Sequence, residues 1–150
     1  MDDRAFEMVK LFNAGYCCAQ VMVKMVLQEE EKANEDLLRA LNGFCIGIGN
    51  TPKICGVLTA GIAILGLYAG KGNNTEYPKS CYSDMVDEYT QWFETEFGST
   101  ECIDLIGVVS ITDWKTKQEY RLKCGNLLMK SYEKIQEILR NHDFEFGTRE

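Results

Sequence analysis

The chain has 150 residues, of which 45% are hydrophobic, and this is enough for one compact domain with its own core. Its 16 basic and 23 acidic residues give a formal net charge of −7, which would repel phosphate backbones and anionic lipid. We therefore expect a single domain over residues 1–150 and no nucleic-acid partner.

Apolar residues recur at helical spacing along most of the chain, and period-2 alternation is almost absent. The pattern predicts an all-α fold, a bundle of about five to seven helices with a glycine-rich loop before the central buried helix. In the first half of the chain we predict helices over residues 2–12 and 16–29, a short helix capped by Asn34, the glycine-rich loop over 43–53 and the central helix over 54–70. A turn-rich connection over 71–80 follows, with Ser80 as candidate N-cap. The remaining predicted elements are a helix over 81–97, a short helix carrying Cys102, and a last helix from 115 or 119 to 140. Residues 107–113 have β propensity but no evident partner strand, so they stay ambiguous, and the tail over 143–150 is expected to be frayed.

The helix predicted over residues 81–97 carries an apolar stripe on one side and acidic residues on the other. The stripe consists of Met85, Tyr89, Trp92, Phe93 and Phe97. We interpret it as core rather than as a cofactor site. The acidic residues opposite the stripe, and those at positions 29–31, are interpreted as solvated surface.

The predicted central helix is strongly apolar, and one edge of it carries only glycine and alanine residues. Its most apolar window, residues 54–69, is shorter than the ~20 residues that a membrane-spanning helix needs, so we expect no membrane insertion. The residues of the edge are Gly56, Ala60, Ala63, Gly66 and Gly70. At 3.6 residues per turn they share one sector, where another backbone can approach. The approach could be that of a neighbouring helix, could bring distant sulfurs towards Cys55, or could form a homodimer contact.

The chain has seven cysteines, an odd number, and its amino-terminal stretch MDDRAFEMVK carries no export signal. We therefore expect a cytoplasmic protein without a disulfide framework, since the cytoplasm keeps ordinary thiols reduced. No CxxC or CxxCH motif occurs, which argues against a thioredoxin-type pair, a zinc knuckle and covalent haem attachment. The single histidine, His142, lies near the end of the last predicted helix and is interpreted as structural, and one histidine argues against a di-iron carboxylate bundle.

Three cysteines fall at or near predicted helix starts: Cys18, Cys55 and Cys102. The unpaired amides and the positive dipole end of a helix stabilise a thiolate, which is the form needed for nucleophilic attack and for metal coordination. This placement favours reactive or ligating sulfur. Each of these cysteines could instead be a packed core residue.

Four segments of the sequence carry a resemblance to a known family. They are YCCAQ with Cys18, CGVLTAG with Cys55, GSTECIDL with Cys102 and RLKCGN with Cys124. Over nearly its whole length the chain resembles the redox-active proteins named for a C-GCAxxG-C-C cysteine pattern. By that resemblance, these four cysteines are the functional ones.

The resemblance leaves some residues unassigned and others at variance with the pattern. The cysteines without a role are Cys17, Cys45 and Cys81. Val57 and Ala60 stand where alanine and glycine are usual, and Gly61 comes one place later, which predicts looser helix packing. Cys17 replaces the customary asparagine, so it stays open whether Cys17 or Cys18 points at the site.

The family is also similar to the non-haem part of split-Soret cytochromes, which implies that the four cysteines Cys18, Cys55, Cys102 and Cys124 hold a [2Fe-2S] or [4Fe-4S] cluster. Zinc is a less favoured occupant, and haem is not expected. Our leading hypothesis is an electron-transfer or redox-sensing protein with an unidentified redox partner. Two alternatives stay open: a metal-free thiol–disulfide protein in which Cys55 attacks and Cys18 or Cys102 resolves, and a helical interaction module whose cysteines merely pack.

Overall fold

The structure is a computed structural model that describes residues 3–45, 47–49, 51–107 and 114–149, without the side chains of 114–117. In this part of the chain the α-helices are α1 (Asp3–Asn13), α2 (Cys18–Glu29), α3 (Glu35–Leu41), α4 (Gly56–Ala69), α5 (Tyr82–Phe97), α6 (Cys102–Ile106) and α7 (Trp114–Asn141), and a 3-10 turn over Asn42–Phe44 follows α3. Extended pairing among the described residues is limited to two isolated bridges, Ile48–Thr51 and Ile54–Glu101. The all-α prediction is confirmed. Most of the ambiguous segment, residues 108–113, lies outside the described residues.

The core forms where α2 and α4 lie against each other, and α4 also packs on α5 and α7. Val21, Met22 and Val26 of α2 are fully buried because this helix is apolar over nearly its whole length. The predicted apolar stripe of α5 faces the same core. Its fully buried members are Met85, Tyr89 and Phe93, and its partly buried members are Trp92 and Phe97.

A side chain lies directly against α4 at Gly61, which is outside the predicted small-residue edge. A Cβ atom at this position would lie less than 3.0 Å from three atoms of the Tyr89 side chain, a separation that real Cβ atoms essentially never show. The Tyr89 hydroxyl donates a 2.9 Å hydrogen bond to the carbonyl oxygen of Val57 on the same helix. Gly61 therefore lets a buried aromatic ring lie directly on the α4 backbone.

The carboxy-terminal tail is packed, so the prediction of a frayed tail is wrong. The rings of Phe144 and Phe146 lie 6.0 and 6.1 Å from that of Tyr68, measured between centroids. The guanidinium of Arg149 binds both carboxylate oxygens of Glu30, at 3.0 and 2.9 Å. The side chain of Glu30 is fully buried, which also corrects its interpretation as solvated surface. The tail is held because it supplies this buried carboxylate with its cation.

Two predicted helix caps have different outcomes. The Asn34 side chain accepts a 3.1 Å hydrogen bond from the amide of Leu37, so this cap is confirmed. Ser80 is not the N-cap of α5, because Cys81 occupies that position.

His142 follows the last residue of α7, and its Nε2 lies 3.5 Å from a carboxylate oxygen of Glu88 on α5. No helix in the described residues has both the length and the apolar character needed to cross a membrane.

Candidate functional site

Four cysteines from four different helices meet inside the bundle. Cys18 is the first residue of α2, Cys55 is the N-cap of α4, Cys102 is the first residue of α6, and Cys124 lies within α7. Their residues are between 1% and 3% exposed. The structure therefore brings together the four positions singled out by the family resemblance, although they are widely separated along the chain.

Burial and the neighbouring thiols raise the pKa values of Cys55, Cys102 and Cys124. Burial, followed by the nearby thiol of Cys18 and more weakly that of Cys102, raises the pKa of Cys55 from 9.0 to about 12. Burial and the Cys18 thiol raise the pKa of Cys102 to about 11. A hydrogen bond with Cys18, then burial, then the other thiols raise the pKa of Cys124 well above its usual value. The Cys18 thiol thus affects the pKa of each of the other three, and its hydrogen bond with Cys124 brings these two sulfurs into contact.

Two short backbone segments place Cys55 beside Cys102. The amide of Cys55 donates to the carbonyl oxygen of Thr100 at 2.8 Å, and the amide of Cys102 donates to that of Lys53. The bridge between Ile54 and Glu101 lies between these two bonds. Because the residues before α4 and before α6 pair in this way, both helices begin at the same place.

Gly56 allows Cys18 to join them. A Cβ atom on Gly56 would lie 2.9 Å from the Cys18 sulfur and closer still to the carbonyl oxygen of Phe44. The small-residue edge of α4 therefore does bring a distant sulfur towards Cys55, as one of the three interpretations proposed. At this end of the edge, the approaching groups belong to α2 and to the 3-10 turn.

α7 completes the site with a tyrosine as well as a cysteine. The hydroxyl of Tyr120 accepts a 3.3 Å hydrogen bond from the amide of Cys18, and this hydroxyl also interacts with the Cys18 sulfur. Tyr120 lies one helical turn before Cys124, so both face the start of α2. Sequence reasoning missed Tyr120, and its spacing of four residues from Cys124 was the signal that could have found it.

The helix starts do not make these thiols acidic in the structure. The amides of Val57 and Leu58 lower the pKa of Cys55, as expected for the start of a helix. Burial and the like charge of neighbouring thiolates have the larger effect, and the balance raises the pKa. At neutral pH the sulfur of Cys55 is therefore protonated when no cation is nearby.

The adjacent cysteines at the start of α2, Cys17 and Cys18, contact different parts of the structure. Cys18 is buried with the four thiols, whereas Cys17 forms a disulfide with Cys45, with the two Cα atoms 5.6 Å apart. The sequence predicted no disulfide framework, and this one pair, which that prediction did not foresee, is the exception among the seven cysteines. Cys81 is partly exposed at the start of α5 and joins neither group.

The described residues contain no group of three or more histidine, cysteine, aspartate or glutamate side chains arranged to hold a metal ion. The donor set still fits a thiolate-bound metal cluster in its chemistry, since it offers four buried sulfurs from a rigid helical frame.

An all-α bundle with four buried cysteines, three of them at helix starts and the fourth within α7, defines a class of cysteine-centred helical proteins. The model of the family described as putative redox-active protein (C_GCAxxG_C_C) matches residues 16–138, and the chain belongs to this family. The match includes all four buried cysteines of the site. Comparisons with curated proteins and with solved structures find no match.

Proposed function

We propose that Cys18, Cys55, Cys102 and Cys124 are the ligands of an iron–sulfur cluster and that the protein carries electrons or senses redox state. The observation that supports this most directly is that four buried cysteines from different helices converge: Cys55 and Cys102 through paired backbone, Cys18 against Gly56, and Cys124 through its hydrogen bond with Cys18. Cysteine-only ligation by four sulfurs is the usual ligand set of [2Fe-2S] and [4Fe-4S] clusters. Such a cluster, when bound, takes up and releases single electrons.

The charge balance of the site favours a cationic occupant. Four thiolates in one buried place would repel each other and would lack water to stabilise them, which is why the pKa of Cys55 reaches about 12. A bound metal or cluster core would reduce this penalty, because its positive charge offsets part of the negative charge of the four thiolates. Without a metal, the four thiols are protonated and the site is neutral at pH 7. The core around it can therefore fold before a metal binds.

The surrounding residues exclude water and set the environment of the sulfurs. The amides of Val57 and Leu58 point their positive ends at the Cys55 sulfur, and the Tyr120 hydroxyl lies at Cys18. Hydrogen bonds to ligand sulfurs withdraw negative charge and raise the reduction potential of a cluster, whereas burial lowers it. These residues are therefore expected to tune the potential rather than to transfer groups.

Metal-free thiol–disulfide exchange initiated by Cys55 is the weaker alternative. The attacking species in that chemistry is a thiolate, and a thiol with a pKa of about 12 is ionised to only about one part in 10⁵ at pH 7. The Cys55 residue is also 1% exposed, so an external disulfide cannot reach it without opening the fold.

The test is the iron and acid-labile sulfide content of the full chain purified without oxygen, together with its zinc content. Serine variants of the four cysteines are compared with Cys81→Ser, which changes a partly exposed cysteine outside the site. We expect iron and sulfide in equal amounts in the parent chain and in the Cys81 variant, and a loss of most of both in each of the four. Zinc in place of iron, or no metal after reconstitution, would refute the proposal.

A further inference from the structure

We propose that the Cys17–Cys45 disulfide is a second redox site, separate from the four buried thiols, which is reduced reversibly by an external dithiol. The proposal does not depend on what the buried cysteines bind. It concerns two residues to which the family's cysteine pattern gives no role.

The pair lies nearer the surface than the other cysteines of the bundle core. Cys17 and Cys45 are both partly exposed, whereas the four thiols of the buried site are at most 3% exposed. Cys17 is the N-cap of α2, and Cys45 directly follows the 3-10 turn. Their Cα separation of 5.6 Å lies within the usual range of disulfides. A thiol from outside can therefore approach this bond, which it cannot do at Cys55 or Cys124.

Contacts other than the disulfide hold the two backbones in place. The amide of Cys17 donates to the Gln20 side chain at 3.3 Å, and the same side chain donates to the carbonyl oxygen of Leu38 at 3.0 Å. The carbonyl of Phe44, one residue before Cys45, packs against Gly56. Since these contacts tie the start of α2 to α3 and the turn to α4, the two sulfurs stay near each other after reduction. Reoxidation then needs little rearrangement.

The reduction proceeds by two thiol–disulfide exchanges. A thiolate of the external dithiol attacks the Cys45 sulfur, the Cys17–Cys45 bond breaks, and Cys17 leaves as a thiolate. The second thiolate of the dithiol then attacks its own sulfur in the mixed disulfide and releases Cys45. Two electrons and two protons pass from the dithiol to the chain, and the dithiol becomes a disulfide.

The position of Cys17 sets the direction of attack. α2 has 12 residues, and the amides of its first turn surround its N-cap, so a thiolate on Cys17 gains from the positive end of the helix. Cys45 lies outside any helix and has no such stabilisation. Because the better-stabilised thiolate leaves faster, Cys45 is the sulfur that is attacked.

The test follows the thiols of the full chain by alkylation and peptide mass spectrometry, using dithiothreitol as the dithiol and a brief exposure to glutathione, quenched with acid, to trap the first mixed disulfide before a second thiol attacks it. Under native conditions we expect alkylation of Cys17 and Cys45 to rise from near zero to near completion after dithiothreitol, and to return to near zero with its oxidised form. Circular dichroism should show unchanged helicity throughout. With glutathione followed by acid quenching, the adduct is expected on Cys45 and the alkylated thiol on Cys17.

Matched variants separate this pair from the other cysteines. Cys81→Ser should keep the full response, whereas in Cys45→Ser the Cys17 thiol should be alkylated without any dithiol. Three results overturn the proposal: both thiols alkylated before reduction, a bond reduced only after unfolding, or a glutathione adduct on Cys17 instead of Cys45. The readout uses the parent chain and does not involve iron, so it fails independently of the proposed cluster.

Discussion

Replacement of Gly61 by alanine tests the packing that supports the site. The added Cβ atom would meet the Tyr89 side chain at less than 3.0 Å, and Tyr89 is fully buried with its hydroxyl bonded to Val57. The ring cannot move towards solvent, so it must shift within the core. Val57 is two residues after Cys55, and a shift there reaches the start of α4.

The expected cost follows from three effects of this substitution. Overpacking a core costs about 1–3 kcal/mol, and a buried hydroxyl that loses its acceptor costs about 1–3 kcal/mol more. Alanine in place of glycine inside a helix stabilises the folded state by about 1 kcal/mol. Gly61→Ala should therefore lower the free energy of unfolding by about 3 kcal/mol, which lowers Tm by roughly 6–12 °C in a chain of this length.

The assay is thermal and urea unfolding of the metal-free chain, with Gly66→Ala as the control in the same helix. A Cβ atom on Gly66 would lie 3.3 Å from the hydroxyl at the far end of the partly exposed Tyr82, which can move aside. We expect this control to stay within about 1 kcal/mol of the parent chain. If Gly61→Ala were as stable as Gly66→Ala, the packing of Tyr89 on α4 would be wrong.

Two further predictions concern charge. Arg149→Ala leaves the buried Glu30 carboxylate without its cation and should cost about 3 kcal/mol or more in urea unfolding. Arg39→Ala, whose ion pairs with Glu35 and Asp36 are largely exposed, should cost less than about 1 kcal/mol, and equal costs would contradict the docked tail. Because burial raises the pKa of Cys55 from 9.0 to about 12, the folded metal-free chain keeps this proton while the unfolded chain loses it. The contribution of Cys55 to stability should then be fully present below pH 9 and be lost by up to about 1.4 kcal/mol per pH unit as the pH rises towards 12, in addition to the contributions of Cys102 and Cys124. The free energy of unfolding should therefore fall less steeply with pH in Cys55→Ser, and identical slopes in the two chains would show that Cys55 is not buried as described.

The helices were predictable because their apolar residues repeat with the period of the structure. The buried face of α5, with Tyr89 and Phe93, follows directly from that spacing. The orientation of the adjacent cysteines was not predictable, since it depends on the helix boundary to within one residue. The sequence pattern starts the second helix at residue 16, but α2 begins at Cys18, which leaves Cys17 at the N-cap and free to turn towards Cys45.

Contacts between distant parts of the chain account for the other differences. The run of acidic residues at 29–31 has the composition of a solvated surface, and only the fold reveals that Arg149 covers Glu30. Likewise, nothing near Phe146 indicates that its ring stacks on Tyr68 of α4. The meeting of the four sulfurs could be anticipated only from the family resemblance, because local patterns carry no information on tertiary contacts of this range.

The visible absorption spectrum of the chain, prepared and kept without oxygen, tests the central claim most directly. If Cys18, Cys55, Cys102 and Cys124 ligate an iron–sulfur cluster, the solution is coloured, with broad sulfur-to-iron absorption that bleaches on addition of dithionite. The colour should persist in Cys81→Ser and disappear in Cys124→Ser. A colourless parent chain, still colourless after incubation with iron and sulfide under reducing conditions, would contradict the account.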